Sequence, residues 1–305
     1  MLYEVIKWMD KCNDVAIVIV NYNGLEDSAE CIKKIISFDL ETKIVFVDNA
    51  SKNNEADIIK KEFPQVICIR TDINNGYSAG CNIGMKYALE HGMEYIMILN
   101  NDTIIDEKMI CILKEETKAD VITVPKMFYF DEPNILWFAG GKIDKRTGKA
   151  ENIGMNKPDN NVEESQLCSF ATGCCFMIKA DTIRKIGLMD ESYFMYCEDQ
   201  EYSLRAEKNN IKIMYVPKAK LWHKVSRTTG GSESAFCFYY LTRNRLKCIS
   251  DYNEYFSKFA ICFTIISRYI RALQFRFRGN TNWRAFLKGI KDYKRKKFGI
   301  ADSIM

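Results

Sequence analysis

Four short apolar runs, each closing on a polar turn, constrain the fold of this 305-residue chain more than any other feature. VAIVIV at 15–20 ends on Asn21-Tyr22-Asn23-Gly24, and KIVFV at 43–47 ends on Asp48-Asn49-Ala50-Ser51. VICIR follows at 66–70, and YIMIL at 95–99 ends on Asn100-Asn101-Asp102. Continuous β-branched runs of this length predict buried strands. Between them, helical spacing predicts helices at 26–37, 54–62 and 78–90, the first with Ala29, Ile32, Ile35 and Ile36 on one face. Strands alternating with helices give βαβ units and a parallel sheet covered on both faces. Ligands of such sheets bind at the carboxyl ends of the strands. The polar clusters 21–24, 48–51 and 100–102 all fall there.

The second half is less regular. It predicts strands at 121–124, 171–178 and 211–216, and helices at 180–186, 198–208 and 232–249. Residues 140–165 are rich in Gly, Asn, Lys and Glu without periodicity, and are expected to form a mobile loop on the acceptor side of the site. No G-x-G-x-x-G follows the first strand, which disfavours a dinucleotide dehydrogenase, and no P-loop motif occurs. The glycines of NNGYSAGCNIG, 74–84, suit a loop and helix N-terminus that hold a phosphate or a base.

Charge is unevenly placed. The total is +4, but residues 258–297 hold twelve Lys or Arg against one acid, Asp292, a net +11 that leaves −7 elsewhere. A basic, aromatic-rich tail with Tyr269, Phe275, Phe277, Trp283 and Phe286 suits amphipathic helices on an anionic membrane surface. A solvated helical face is the plainer alternative. No nucleic-acid motif accompanies the tail, so no nucleic-acid partner is expected. Twelve cysteines without a C-x-x-C framework are expected to be reduced, mostly as small hydrophobes. The N-terminal MLYEVIKWMDKCND has no apolar run, and FAICFTIIS at 259–267 is too short to span a bilayer. The expected location is cytoplasmic, with peripheral contact on the inner face of the membrane.

The segments VAIVIVNYNG, VDNAS, NNGYSAGCNIG, ILNNDT and ATGCCFMIKADTIRKIGLMDESYFMYCEDQEYSLR occur in that order, with VPKAKLWHKVSRTTG and FYYLTRNRL behind them. Together they resemble glycosyltransferase family 2, and within it the rhamnosyltransferase-like group. The resemblance covers about residues 15–250. It implies a GT-A fold of α/β class: a Rossmann-like, mostly parallel central sheet, here over 1–250, with a basic amphipathic helical extension over 251–305. It also implies an inverting transfer of one sugar from a nucleotide-diphospho-sugar donor, dTDP-rhamnose or a UDP-sugar, to a saccharide or lipid-linked acceptor in cell-surface polysaccharide synthesis. No Q-x-x-R-W motif of processive members is present.

The same resemblance implies the site residues. Asp102 stands where the family carries its metal-binding acids, with Asn100 in place of the first. One carboxylate suffices for Mg²⁺ or Mn²⁺ when the donor diphosphate supplies further oxygens. Asp102 also suits a cap of the next turn, with Thr103. His223 matches a family histidine near metal and diphosphate. Asp199 is the implied general base and Glu198 its neighbour at a helix N-terminus, where Gln200-Glu201 departs from the family pattern. A carboxylate that takes the acceptor proton typically contributes about 10²–10⁴-fold. Asn21, Tyr22, Asn23, Asp48, Asn82, Asn101 and Arg243 match donor-binding positions, although Asp48 equally suits a turn-former. His91 reads as a helix C-terminal residue beside Gly92. A sugar nucleotidyltransferase and a non-catalytic nucleotide-sugar-binding paralogue are the competing readings. NYNGLEDSAE lacks the basic residue the first would need, and Asn100 is what suggests the second.

Overall fold

The structure is a computed structural model that describes residues 12–38, 41–159, 161–225, 234–302 and 304. Residues 1–11, read above for a leader, lie outside the described residues. So do 226–233, which hold the end of VPKAKLWHKVSRTTG and the start of the helix expected at 232–249.

The first hundred residues form the expected units. Strands β1 (Val15–Asn21), β2 (Lys43–Asp48), β3 (Ile67–Arg70) and β4 (Tyr95–Asn100) alternate with helices α1 (Leu25–Ile36), α2 (Glu55–Glu62) and α3 (Tyr77–Glu90). All four strands are parallel, in the order β3-β2-β1-β4. Ile17, Ile19, Phe46, Ile98 and Leu99 have no exposed surface, as burial on both faces requires. In α3, Gly80 and Gly84 face β1. A Cβ on Gly80 would lie 2.6 Å from Val20, and one on Gly84 would lie 2.2 Å from Val18. Two of the glycines expected to cradle phosphate therefore serve close helix–strand packing.

Beyond β4 the sheet turns mixed. A short β5 (Thr103–Ile105) and helix α4 (Met109–Glu116) lead to β6 (Val121–Tyr129), β7 (Ile135–Phe138), β8 (Gly141–Asp144), β9 (Lys149–Asn152), β10 (Lys157–Pro158), β11 (Gln166–Cys168) and β12 (Cys175–Lys179). Strand β12 inserts antiparallel between β4 and β6. Helices α5 (Ala180–Ile186) and α6 (Glu198–Lys208) follow, then β13 (Lys212–His223). Strand β13 runs parallel to β6 and antiparallel to β5 and β11. Its register shifts between Val216 and Lys220, a bulge that contains Pro217. Proline has no N–H for the ladder, so the strand pattern at 211–216 stops short of the true end at His223.

Residues 140–165 correct the loop reading. They contain a β8–β9 hairpin whose turn is tied by Gly148 N and Thr147 Oγ1 donating to Asp144, at 2.8 and 2.7 Å. Strands of four residues in a two-stranded ribbon carry too few apolar positions to show a period.

The C-terminal helices α7 (Ala235–Asp251), α8 (Ala260–Phe277) and α9 (Trp283–Lys294) enclose a second apolar cluster of Phe238, Tyr239, Tyr240, Phe275 and Phe286. The Phe238 and Phe286 rings stack at 4.5 Å. Among the described residues no helix is long and apolar enough to cross a membrane.

Candidate active site

A cleft of about 350 Å³ opens at the carboxyl end of β4, lined among others by Tyr77, Asn100, Gly173, Glu198, Asp199 and His223. The end of β4 and the start of α6 contribute residues to it, and a third piece of chain stands at the same strand-end edge without lining the cleft.

The first piece is the end of β4. Pairing of β5 with β13 sets His223 opposite Thr103, so the preceding Asp102 meets the imidazole, with Oδ1 and Nε2 3.2 Å apart. Both residues are buried. Burial pushes the imidazole down, but Cys174 and Asp102 beside it outweigh burial and hold it up at about 10. Its Nδ1 has no hydrogen-bond partner, and the Trp137 ring stands edge-on to it at 4.5 Å. Asn100, in the place of an acid, accepts a hydrogen bond on Oδ1 from the Tyr77 hydroxyl at 2.9 Å, and the Gly173 carbonyl lies 2.6 Å from the same hydroxyl.

The second piece is the start of α6. Asp199 is partly exposed; its Oδ2 accepts from Gly173 N at 3.0 Å and its Oδ1 from Gln200 N at 2.8 Å. Burial raises its pKa, while these N–H groups pull it back. Glu198 is fully enclosed, with Oε2 unpartnered, and burial followed by the charge of Asp199 raises it well above the ordinary value. Both carboxyls are raised, Glu198 the further, so Asp199 is held closer to the ordinary carboxylate range. Gln200 lines the cleft while its Nε2 donates to Gly148 O, and Glu201 points elsewhere, accepting from Arg205 and from the Tyr252 hydroxyl.

The acid pair is aimed by backbone in an unusual conformation. Tyr196 and Cys197, immediately before it, both have φ of +67°. Non-glycine residues in this region cost about 1–3 kcal/mol each unless the surroundings over-determine them. Asn244 on α7 does so, donating through Nδ2 to Met195 O at 2.8 Å and Tyr196 O at 2.9 Å. At Gly76 (φ +92°) a Cβ would lie 2.2 Å from Phe194 O, so only glycine lets the 74–76 loop reach this segment.

The third piece is the turn after β1. Asn101 donates to Asn21 Oδ1 and Ser28 Oγ, and Asn21 donates to Glu55 at 2.6 Å. Tyr22 is exposed, whereas Asn23 N donates to Ser51 Oγ. Asp48 has no exposed surface; it accepts from Ser51 N, Ala56 N and, at 2.9 Å, Arg70 Nη1. These residues share the strand-end edge through the register Asn21↔Asp48 and Val20↔Asn100.

None of the seven expected donor contacts lines the cleft, and two of them are tied up in packing elsewhere. Asn82 is buried and holds Met189 and Glu191 through three hydrogen bonds. Arg243 is buried between Tyr239 and Tyr240, with Nη1 donating to the Tyr239 hydroxyl. Two residues is about 200° around a helix, so it is Arg245 that lines the cleft. Arg245 and the positioning role of Asn244 were not anticipated. LTRNR carried a signal for both, but which face of the helix meets the site depends on the packing of α7. His91 caps α3 as expected, its Nδ1 2.8 Å from Tyr87 O. All twelve cysteines are free.

The family model described as "Glycosyl transferase family 2" matches residues 16–187, more than half the chain. The chain belongs to glycosyl transferase family 2. Similar members include the low-salt glycan biosynthesis hexosyltransferase Agl10 of Haloferax volcanii, 27% identical over 81% of this chain and 78% of the relative. Another is the dTDP-rhamnosyl transferase RfbF of Shigella flexneri, 26% identical over 60% of each. Among solved structures, the mannosyltransferase PcManGT from Pyrobaculum calidifontis, in complex with GDP-Man and Mn²⁺, superposes with a TM-score of 0.58 at 11% identity. That match covers 97% of this chain and 94% of PcManGT. GalNAc-T7 with UDP, GalNAc and Mn²⁺ gives 0.60 at 17% identity over 79% of this chain and 49% of its own. The fold of this family member is GT-A.

Proposed function

We propose that this family 2 glycosyltransferase is an inverting, metal-assisted hexosyltransferase. It would move one sugar from a nucleotide-diphosphate donor, dTDP-rhamnose or a UDP-sugar, to a saccharide or lipid-linked acceptor in polysaccharide synthesis. The observation that supports the reading is the shared cleft: Asp199, partly exposed, and His223 line one cavity, and Asp102 lies behind His223, 3.2 Å from its Nε2. The names of the relatives support the hexosyl and rhamnosyl alternatives.

Asp102 would offer a carboxylate oxygen to a divalent cation, with the donor diphosphate supplying further oxygens, and His223 would join it only once the proton that Cys174 and Asp102 hold on the ring has left. When bound, Mg²⁺ or Mn²⁺ supplies neutralisation of the charge that develops on the departing diphosphate. Asp199 does the remaining work. Its carboxylate takes the proton from the acceptor hydroxyl as that oxygen attacks the anomeric carbon opposite the leaving group, which inverts the configuration. Gly173 N and Gln200 N fix the carboxylate for this role, and Glu198, carrying a proton, adds no second charge beside it.

The test is transfer with a panel of nucleotide sugars. Asp199→Asn is expected to lower kcat by about 10²–10⁴-fold with binding of the donor nucleotide retained. Asp102→Ala is expected to lose Mn²⁺-linked nucleotide binding. Wild-type transfer by both variants would overturn the reading.

A further inference from the structure

Two partly buried arginines beside the acid pair, Arg245 and Arg268, have no carboxylate partner among the described residues. Arg245 on α7 lines the cleft, and Arg268 on α8 stands next to it, in the inward row Thr264, Arg268, Ala272, Phe275. Burial lowers the pKa of Arg245, and that of Arg268 falls to about 9 under burial, Arg245 and Arg271. Their Nε atoms are enclosed without a hydrogen-bond partner. The titratable groups nearest them besides each other are Cys197, Cys237 and Cys248, thiols that burial holds neutral.

Elsewhere among the described residues Lys126 pairs with Asp159, Arg205 with Glu201, and Lys247 with Asp190 and Asp251, while Arg243 is buried without a carboxylate partner between the Tyr239 and Tyr240 rings. Arg245 differs from Arg243 in facing the cleft, where an anion that arrives with a ligand can offset the cost of its unpaired charge. Arginine's planar fork matches phosphate oxygens in bidentate fashion. The outer side of α8 shows what else that ligand carries. Phe259 just before it, then Ile266, Tyr269, Ile270, Leu273 and Phe277, form one exposed apolar stripe, Phe277 being 88% exposed. Arg271, Arg276 and Arg278 are exposed beside it. One helix thus offers cation to the cleft and apolar surface to the outside.

The geometry points to Arg245 and Arg268 as the subsite for the phosphate or diphosphate of a lipid-linked acceptor, whose hydrocarbon tail leaves along α8. This rests on the transferase reading above and names its acceptor class.

Binding is measured on the full chain saturated with UDP and Mn²⁺, with dodecyl diphosphate below its micelle concentration, inorganic pyrophosphate and the uncharged dodecyl glucoside as probes. Dodecyl diphosphate is expected to bind about tenfold more tightly than either other probe. Arg268→Met is expected to lose about tenfold of that affinity while UDP affinity is unchanged, and to melt at a higher temperature than wild type, because it removes an unpaired, partly buried charge. A lower melting temperature would mark a structural cation and count against the subsite. Equal affinity for pyrophosphate and dodecyl diphosphate would assign a free phosphate and overturn the lipid-linked acceptor. Displacement of the probe by UDP would assign the arginines to the donor and overturn it too. Failure of UDP to bind at all would overturn the transferase reading instead, and the probes, tested on the unliganded chain, would still decide the arginine pair.

Discussion

Asn244 touches neither of the proposed reacting carboxylates, yet it holds both by fixing the two left-handed residues that precede them. Asn244→Ala removes two hydrogen bonds of about 0.5–1.5 kcal/mol each and frees Tyr196 and Cys197 to relax. The expected result is a fall in kcat of about 10–100-fold with donor KM little changed. Equal loss in kcat and donor binding would mean general unfolding rather than misaimed acids. Glu198 allows a separate test through pH. Its folded-state pKa is raised well above the 4.5 of the unfolded chain. Below that value both states are protonated. As pH climbs past it, the unfolded chain ionises while the buried side chain does not, and stability is lost until the raised value is passed. Glu198→Gln removes this titration, so it should melt with the wild type near pH 4 and several degrees above it near pH 8. Coincident melting temperatures at both pH values would show that Glu198 is ionised when folded. Asp199 is raised less because Gly173 N and Gln200 N donate to it, whereas Glu198 Oε2 has no hydrogen-bond partner.

At the scale of elements, two contacts decide where the chemistry sits. The short β5 strand pairs with the far end of β13, and this alone brings Asp102 to His223 across more than a hundred residues. The seating of α3 on β1 through Gly80 and Gly84 fixes the other wall, since α3 begins at Tyr77, whose hydroxyl reaches Asn100 and Gly173. Gly84→Ala puts a methyl into Val18 and is expected to cost about 1–3 kcal/mol, read as a lower urea midpoint with unchanged m-value. No change in midpoint would mean that α3 shifts freely on the sheet. The four parallel strands were legible because each carries a continuous apolar run, with β1, β2 and β4 buried on both faces and β3 half-buried at the sheet edge. The 140–165 hairpin and the full length of β13 were not. The hairpin strands are short and half polar, and β13 is interrupted at Pro217, so their pairing comes from partners distant in sequence.

For the molecule as a whole, charge and apolar surface coincide on the C-terminal helices. The basic stretch 258–297 carries the exposed stripe of α8, the combination expected of a helix lying on an anionic bilayer surface. The chain is therefore expected to sediment with vesicles containing phosphatidylglycerol, less with phosphatidylcholine alone, and less again at high salt. Ile270→Asp combined with Phe277→Asp should abolish sedimentation without altering donor binding. Equal binding to both vesicle types, or none, would remove the membrane from the account. Peripheral binding would bring a lipid-borne acceptor to the cleft within reach of Arg245.

The sequence by itself determined the α/β class, the positions of the strand-end polar turns and the acid pair at the head of α6, because these depend on local periodicity and on residue types at fixed spacing. Only the tertiary structure decided that Asp48, Asn82 and Arg243 turn into the protein, while Arg245 turns to the cleft with its Nε unpartnered. Whether a polar side chain holds the fold or meets a ligand depends on what lies across from it. That is set by strand register and helix rotation, which no short stretch of sequence records.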